Sequence, residues 1–216
     1  MPRRLLALHL LAGALATAGS SATAPAAAPS PVVSAAAYGI TIVLPGQPSA
    51  SAAEAAAPGP SLTGAADSFA YPADGVAART GALSTSASAR ATGGAAAFAV
   101  TDVLAVSLLN GEITAESVAG RAKATETGAD ADGSRVTGLV VLGGSLDAAP
   151  NLRVPLGDWG YAVTLEQTVE SAVEEETRSS RASVTALRVV LTADHGGLPA
   201  GTEILVGHAE AAVSAP

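Results

Sequence analysis

Asn110-Gly111 stands between two runs, "AVSLL" and "EITAES", in which apolar and polar residues alternate. That pairing of a positive-φ dipeptide with period-two patterning is the strongest short-range signal of a β-hairpin. With a two-residue turn, Leu108 faces Ile113 and Val106 faces Ala115. The same register puts Leu104, Val106, Leu108, Ile113 and Ala115 on one face, expected to be the core. Ser107, Glu112, Thr114 and Glu116 fall on the other.

The rest of the second half repeats this short-strand grammar. "SRVTGLVVLGGSLD" offers a tight turn at Gly143-Gly144. "PNLRVPLGDWGYAVTLEQ" offers two strands about a turn from Gly157 to Gly160 that carries Trp159, with Tyr161, Val163 and Leu165 alternating beyond it. "ASVTALRVVLT" and "GTEILVGHAEA" pair as antiparallel strands around "ADHGGLPA", with His208 bordering the inner face beside Ile204 and Val206. The acidic stretch "ESAVEEETRSSR" is expected to be a solvated hairpin loop, with a one-turn helix as the alternative. Short strands with turns between them predict an all-β fold, an antiparallel β-sandwich or barrel-like sheet.

The first half is plainer. "MPRRLLALHLLAGALATAG" has basic residues at Arg3 and Arg4, an apolar run from Leu5 to Leu15 and small residues at Ala16 and Ala18, the layout of a secretory signal peptide over residues 1–18. Residues 19–35 read as a disordered Pro/Ala/Ser linker. A single β-rich domain then fills residues 36–213, weakly patterned over 36–97 and clearly over 98–213. Tyr38, Ile40 and Ile42 mark a first strand before a Pro-Gly turn. From Gln47 to Ala97, interleaved Pro, Gly and Ser argue against helix, and weak strands are expected around Ala82 to Ala91. Aromatic content is only 3 %, so the core has to be built from Val, Leu and Ile.

Signal removal takes away two arginines and no acid, so the formal charge of −8 becomes −8 − 2 = −10. An acidic chain without Lys/Arg clusters argues against nucleic-acid binding. No later apolar run is long enough for a transmembrane segment in the mature chain. There is no cysteine, which excludes disulfides and thiolate metal sites.

Taken in order, "AAYGI", "PNLRVPLGDWGYAVTLEQ", "VTALRVVLT" and "GGLPAGTEILVGHAEA" resemble the choice-of-anchor P family of exported bacterial surface proteins. Its pattern has an Ala-Tyr-Gly entry, Pro-Asn before a strand, Leu-Pro-Gly, a strand ending Leu-Asn-Glu-Gln and a closing strand rich in Val, Ile and Gly. Glu166-Gln167 matches that pattern, and Thr164-Leu165 departs from it. The resemblance runs from about Ala36 to Ala212. It implies an extracellular or surface-associated domain with no established enzymatic activity. The closing "AEAAVSAP" lacks the C-terminal anchor such proteins carry.

Several local motifs invite chemistry. His195-Gly196-Gly197 has the letters of an oxyanion loop, but no Gly-x-Ser-x-Gly elbow accompanies it, and a turn with positive φ at the glycines is the better expectation. "LPAGT" at Leu198 to Thr202 has the letters of a sortase signal in the wrong order. His195 and His208 are too few to form a zinc site. "DADG" at Asp130 to Gly133 begins like a calcium loop, yet Val141 stands where its Glu is required. Glu174-Glu175-Glu176 reads as solvated charge.

These considerations predict a secreted protein of non-enzymatic, structural or interaction character, with no cofactor and no metal. Its partner is expected to be an unknown envelope component or a second copy of itself. The alternative is a weak carbohydrate-binding module or glycan-active enzyme. Trp159, with Asp158 and Tyr161, is the candidate ligand contact for that reading, set against a role for Trp159 as an aromatic plug at one end of the sandwich.

Overall fold

The structure is a computed structural model that describes residues 29–174 and 177–216. The signal-peptide segment 1–18, most of the linker, and Glu175 and Glu176 lie outside the described residues. Among the described residues there is no helix, and so none long and apolar enough to cross a membrane.

The described residues form sixteen strands in succession. The first six are β1 (Val32–Val43), β2 (Ala50–Ala57), β3 (Thr63–Ala66), β4 (Phe69–Tyr71), β5 (Ala78–Thr80) and β6 (Leu83–Arg90). Next come β7 (Ala96–Leu108), β8 (Ile113–Thr125), β9 (Gly128–Asp130), β10 (Arg135–Thr137), β11 (Val140–Val141) and β12 (Gly144–Ser145). The last four are β13 (Leu152–Pro155), β14 (Gly160–Glu174), β15 (Thr177–Leu191) and β16 (Glu203–Ala215). One sheet has the order β13-β14-β15-β16-β1-β2. The other runs β12-β11-β8-β7-β5-β4, with β6 also on β7, β3 on β6, and β9 and β10 on β8. All pairs are antiparallel and neither sheet closes into a barrel. The two sheets pack face to face, β1, β15 and β16 against β6, β7 and β8.

Strand β1 begins at Val32, inside the segment read as linker, because Val32 pairs with Ser214 and Ala35 with Ala57. The expected weak strand near Ala82 is β6, paired with β7 from Leu83↔Val103 to Arg90↔Ala96. Apart from Glu175 and Glu176, the acidic stretch is strand and not loop. From Glu166↔Thr185 onward β14 and β15 pair without a gap out to Glu174↔Thr177, since ladder hydrogen bonds form whether or not the side chains are apolar. At that hairpin tip Val173 is 72 % exposed.

The core falls into two parts. At one end Ile40, Ile42, Leu108, Ile113, Leu156, Leu187, Leu191 and Ile204 are fully buried. At the other end the buried residues are mostly alanine: Ala35, Ala37, Ala97, Ala99, Ala122, Ala124, Ala182, Ala209 and Ala211. Burying a large aliphatic side chain contributes about 1.5–3 kcal/mol and an alanine methyl far less, so the aliphatic end carries most of the hydrophobic stabilisation.

A crease across the first sheet separates the two parts. Along β16 the buried side chains are Ile204 and Val206, then Ala209, Ala211, Val213 and Ala215, so the alternation changes parity at Gly207. In β1 the change falls at Gly39, between buried Ala37 and buried Ile40, and in β15 at Ala186, between Val184 and Leu187. Registers such as Tyr38↔His208 with Ile40↔Val206, and Tyr38↔Glu54 with Ile40↔Ala52, align these positions in one row: Leu165, Ala186, Gly207, Gly39, Ala53. Every second member has left-handed backbone: Leu165 at φ 46°, Gly207 at 71° and Ala53 at 56°. A left-handed residue turns the chain so that its successor faces the side an unbroken strand would have denied it.

The opposite sheet has its own break at Ala105, φ 50°. The buried set changes there from Thr101 and Val103 to Val106 and Leu108. This corrects two expectations. Leu104 does not share a face with Val106; it is 49 % exposed. His208 does not border the inner face beside Val206; it lies on the outer face of the first sheet. The sheets come closest at the crease, where a Cβ on Gly120 of β8 would overlap the Gly207 carbonyl oxygen.

Candidate functional site

Three connections meet at the aliphatic end. Between β7 and β8 the chain uses four residues, Leu109 to Glu112, and not two. Leu109, Asn110 and Gly111 are all left-handed, at φ 50°, 56° and 85°, while Leu108 still faces Ile113 as expected. The extra length lets Leu109 bury itself, with its N–H donating to the Ala77 carbonyl at 2.9 Å, and turns Glu112 toward the neighbouring sheet. The second connection joins β13 to β14 and carries Asp158 and Trp159. The third joins β15 to β16 and carries Asp194 and His195. Because β14, β15 and β16 are consecutive neighbours, the second and third connections must emerge at the same end.

His195 joins all three. Its Nε2 lies 2.8 Å from Glu112 Oε2. A carboxylate can only accept, so Nε2 carries the proton and donates it. Its ring stacks on Trp159, with centroids 3.9 Å apart and planes 2° from parallel. The Trp159 carbonyl in turn accepts from the Thr192 N–H at 2.8 Å. Asp194 Oδ1 accepts from the Ala200 N–H at 2.9 Å, closing the loop on itself. Gly196 and Gly197 have φ of 59° and 78°, the turn role expected of them. Gly196 is also needed for space, because a Cβ there would lie 2.9 Å from Leu109 Cδ2.

The three residues read as ligand contacts do not converge on one point. Trp159 is half-buried against the aliphatic core and stacked on His195. Asp158 is exposed on the same turn. Tyr161 sits on the outer face of β14 with the Arg153 guanidinium 3.6 Å above its ring. Sequence reasoning placed His195 in a turn but missed its partners. Glu112 lies 83 residues away, and no local pattern announces that contact. In the Asp130 turn, Asp130 takes the Asp132 N–H at 3.4 Å and faces Lys123 at 3.6 Å. Among the described residues, no group of three or more His, Asp or Glu side chains is arranged to hold a metal ion.

An imidazole held by a carboxylate is half of an acid–base relay, the other half being a nucleophile on the second nitrogen. Among the described residues, no serine or threonine hydroxyl hydrogen-bonds to His195.

The outer face of the first sheet carries a second polar group. Arg188 bridges Glu166 at 2.8 Å and Glu203 at 2.9 Å. Partial burial pulls its pKa down, but the hydrogen bond to Glu203 and the charges of both glutamates outweigh this and hold it above the ordinary value. His208 Nδ1 meets Thr185 Oγ1 at 2.9 Å, and its ring lies 5.7 Å from that of Tyr38. Burial pushes the His208 imidazole below the usual histidine range, against the opposing pull of Glu210.

Comparison with protein-family models, curated proteins and solved structures finds no match to this chain.

Proposed function

We propose that this chain is an exported, non-enzymatic β-sandwich with a structural or interaction role at the cell envelope, of the kind the choice-of-anchor P resemblance implies. The observation that supports a structural role is how the chemically able side chains of the loop end engage one another. Trp159 stacks on His195, His195 donates to Glu112, and Asp194 holds a backbone N–H of its own loop. Groups spent in this way fasten three connections together, the work of an aromatic plug. Export rests on Arg3, Arg4 and the apolar run from Leu5 to Leu15.

Fractionation of the native host into medium, envelope wash and cell-wall pellet, with N-terminal sequencing of the recovered protein, tests this reading. The expected result is recovery with the envelope, starting near Gly19. Recovery in the cytoplasm with Met1 intact would sink it, and free protein in the medium would remove the envelope role. The alternative of a glycan site at Trp159 predicts that Trp159→Ala abolishes glycan retention without unfolding the chain.

A further inference from the structure

The crease leaves a trough on the outer face of the first sheet. In an unbroken strand, outward side chains recur every second residue, about 6.6 Å apart. At the crease two successive residues turn away, so the outward positions are three residues apart. One bank is formed by Val163, Arg188, Leu205, Thr41 and Ser51, each paired with the next across neighbouring strands. The other is formed, in the same strand order, by Glu166, Thr185, His208, Tyr38 and Glu54. The Arg188–Glu166 ion pair closes one end of the trough, and a hydrogen bond from Ser51 Oγ to Glu54 Oε1 crosses the other. Between them lies a hollow of about 280 Å³ lined by Tyr38, Thr41, Ser51, Glu54, Leu205 and His208, with Ser49 at its rim.

We propose that this trough binds a single neutral, polyhydroxylated ring: one sugar unit of a glycan. The lining has the two components such a ligand needs. The Tyr38 ring and the Leu205 side chain give an apolar surface for the C–H face of the ring. At the edges of this mainly apolar surface stand the Glu54 carboxylate, the hydroxyls of Tyr38, Thr41, Ser49 and Ser51, the last already donating to Glu54, and the His208 imidazole. Among the described residues neither the Tyr38 hydroxyl nor His208 Nε2 has a hydrogen-bond partner, and the Thr185 contact at Nδ1 fixes how the imidazole is presented. An anionic ligand is disfavoured, because among the described residues the Glu54 carboxylate lines the hollow and no Lys or Arg does, while Arg188, paired with Leu205 across the strands, already holds two glutamates. The volume lies just below the usual range of ligand sites, roughly 300–1,000 Å³, which suits one ring and not a buried oligosaccharide. This inference does not depend on where the protein resides, and it does not involve Trp159.

The test is an amide-resolved NMR titration of the full chain with glucose, galactose, mannose and N-acetylglucosamine, and with ethanolamine as a cationic control. The expected result is saturable shifts centred on Tyr38, Thr41, Glu54, Leu205 and His208 for at least one sugar, with Kd in the range of about 0.1–10 mM for so small a contact. Glu54→Gln, an exposed position, and His208→Gln are each expected to weaken binding about tenfold while leaving the unbound spectrum dispersed. The proposal is overturned if no sugar shifts these amides, if shifts centre on Trp159, if ethanolamine alone binds, or if both variants bind as the parent does.

Discussion

Three glycine-to-alanine substitutions, made one at a time, separate the two costs that the crease imposes. Gly197 has φ 78° with open space where a Cβ would stand, so Gly197→Ala introduces left-handed strain and nothing else. That strain is about 1–2 kcal/mol for an L-residue. Gly120 lies outside the left-handed region, but its Cβ would overlap the Gly207 carbonyl oxygen and lie 2.9 Å from Thr101 Cγ2. Gly120→Ala is therefore an overpacking change, costing about 1–3 kcal/mol. Gly207 combines both: φ 71°, with a Cβ 2.8 Å from Val118 Cγ1 and 3.2 Å from Ala186 Cβ. The sum predicts about 2–5 kcal/mol for Gly207→Ala, a large part of the roughly 5–15 kcal/mol by which domains are stable. Urea unfolding of the three variants and the parent, read as changes in midpoint at constant slope, measures these differences. If Gly207→Ala is no more destabilising than Gly197→Ala, or Gly120→Ala stays within about 0.5 kcal/mol of the parent, the backbones do not meet at the crease and the account of the two-part core is wrong.

His208 has its pKa lowered by burial, so the unfolded chain takes up a proton at this site before the folded one does. Its contribution is complete above the unfolded value of about 6.5 and is lost as pH falls below it, and the drop in urea midpoint between pH 7 and pH 5 is expected to shrink in His208→Gln. A double-mutant cycle with Trp159→Leu and His195→Ala is expected to give a coupling of about 0.5–1.5 kcal/mol, whereas a coupling near zero would show that the stacked rings do not hold the loops together. The two ends of the core should respond oppositely to size. Ala209→Val in the alanine part is expected to cost about 1–3 kcal/mol by overpacking, and Ile204→Val in the aliphatic part about 0.5–1.5 kcal/mol by underpacking, both read from thermal or urea unfolding.

What could be read from the chain divides along the same line. The Leu108↔Ile113 register was legible because Asn110-Gly111 carries its positive φ in its composition. So was the pairing of β15 with β16, where long apolar runs flank a glycine-rich turn. The crease was not legible, since Leu165, Ala53 and Ala105 adopt left-handed backbone that their side chains disfavour and that only the assembled sheets enforce. Counting by twos across such a residue puts Leu104 and His208 on the wrong faces. The acidic hairpin was hidden for a different reason: outward Glu166, Glu170 and Glu174 and exposed Val169 offer no burial pattern, and the strand is held by its ladder to β15. Of the candidate ligand contacts, the turn holding Trp159 was legible, but its stacking partner arises from the spatial order of β14, β15 and β16.

The crease also bears on how the alanine part keeps its register. Segments such as "ASAAEAAA" in β2 present small side chains at every position but the outward Glu54, and in an unbroken strand a slip of two residues would preserve the alternation of the buried alanines at little packing cost. A parity change removes that freedom. If β2 slipped by two against β1, Ala53 would no longer lie opposite Gly39, and the residues between the two breaks would turn the wrong face inward on one strand only. The same holds for β1 on β16 and β16 on β15, because the row from Leu165 to Ala53 runs through all five strands. Left-handed strain in the row thus specifies a register that the alanines cannot, while the bulky aliphatic end supplies the energy that keeps the strain in place.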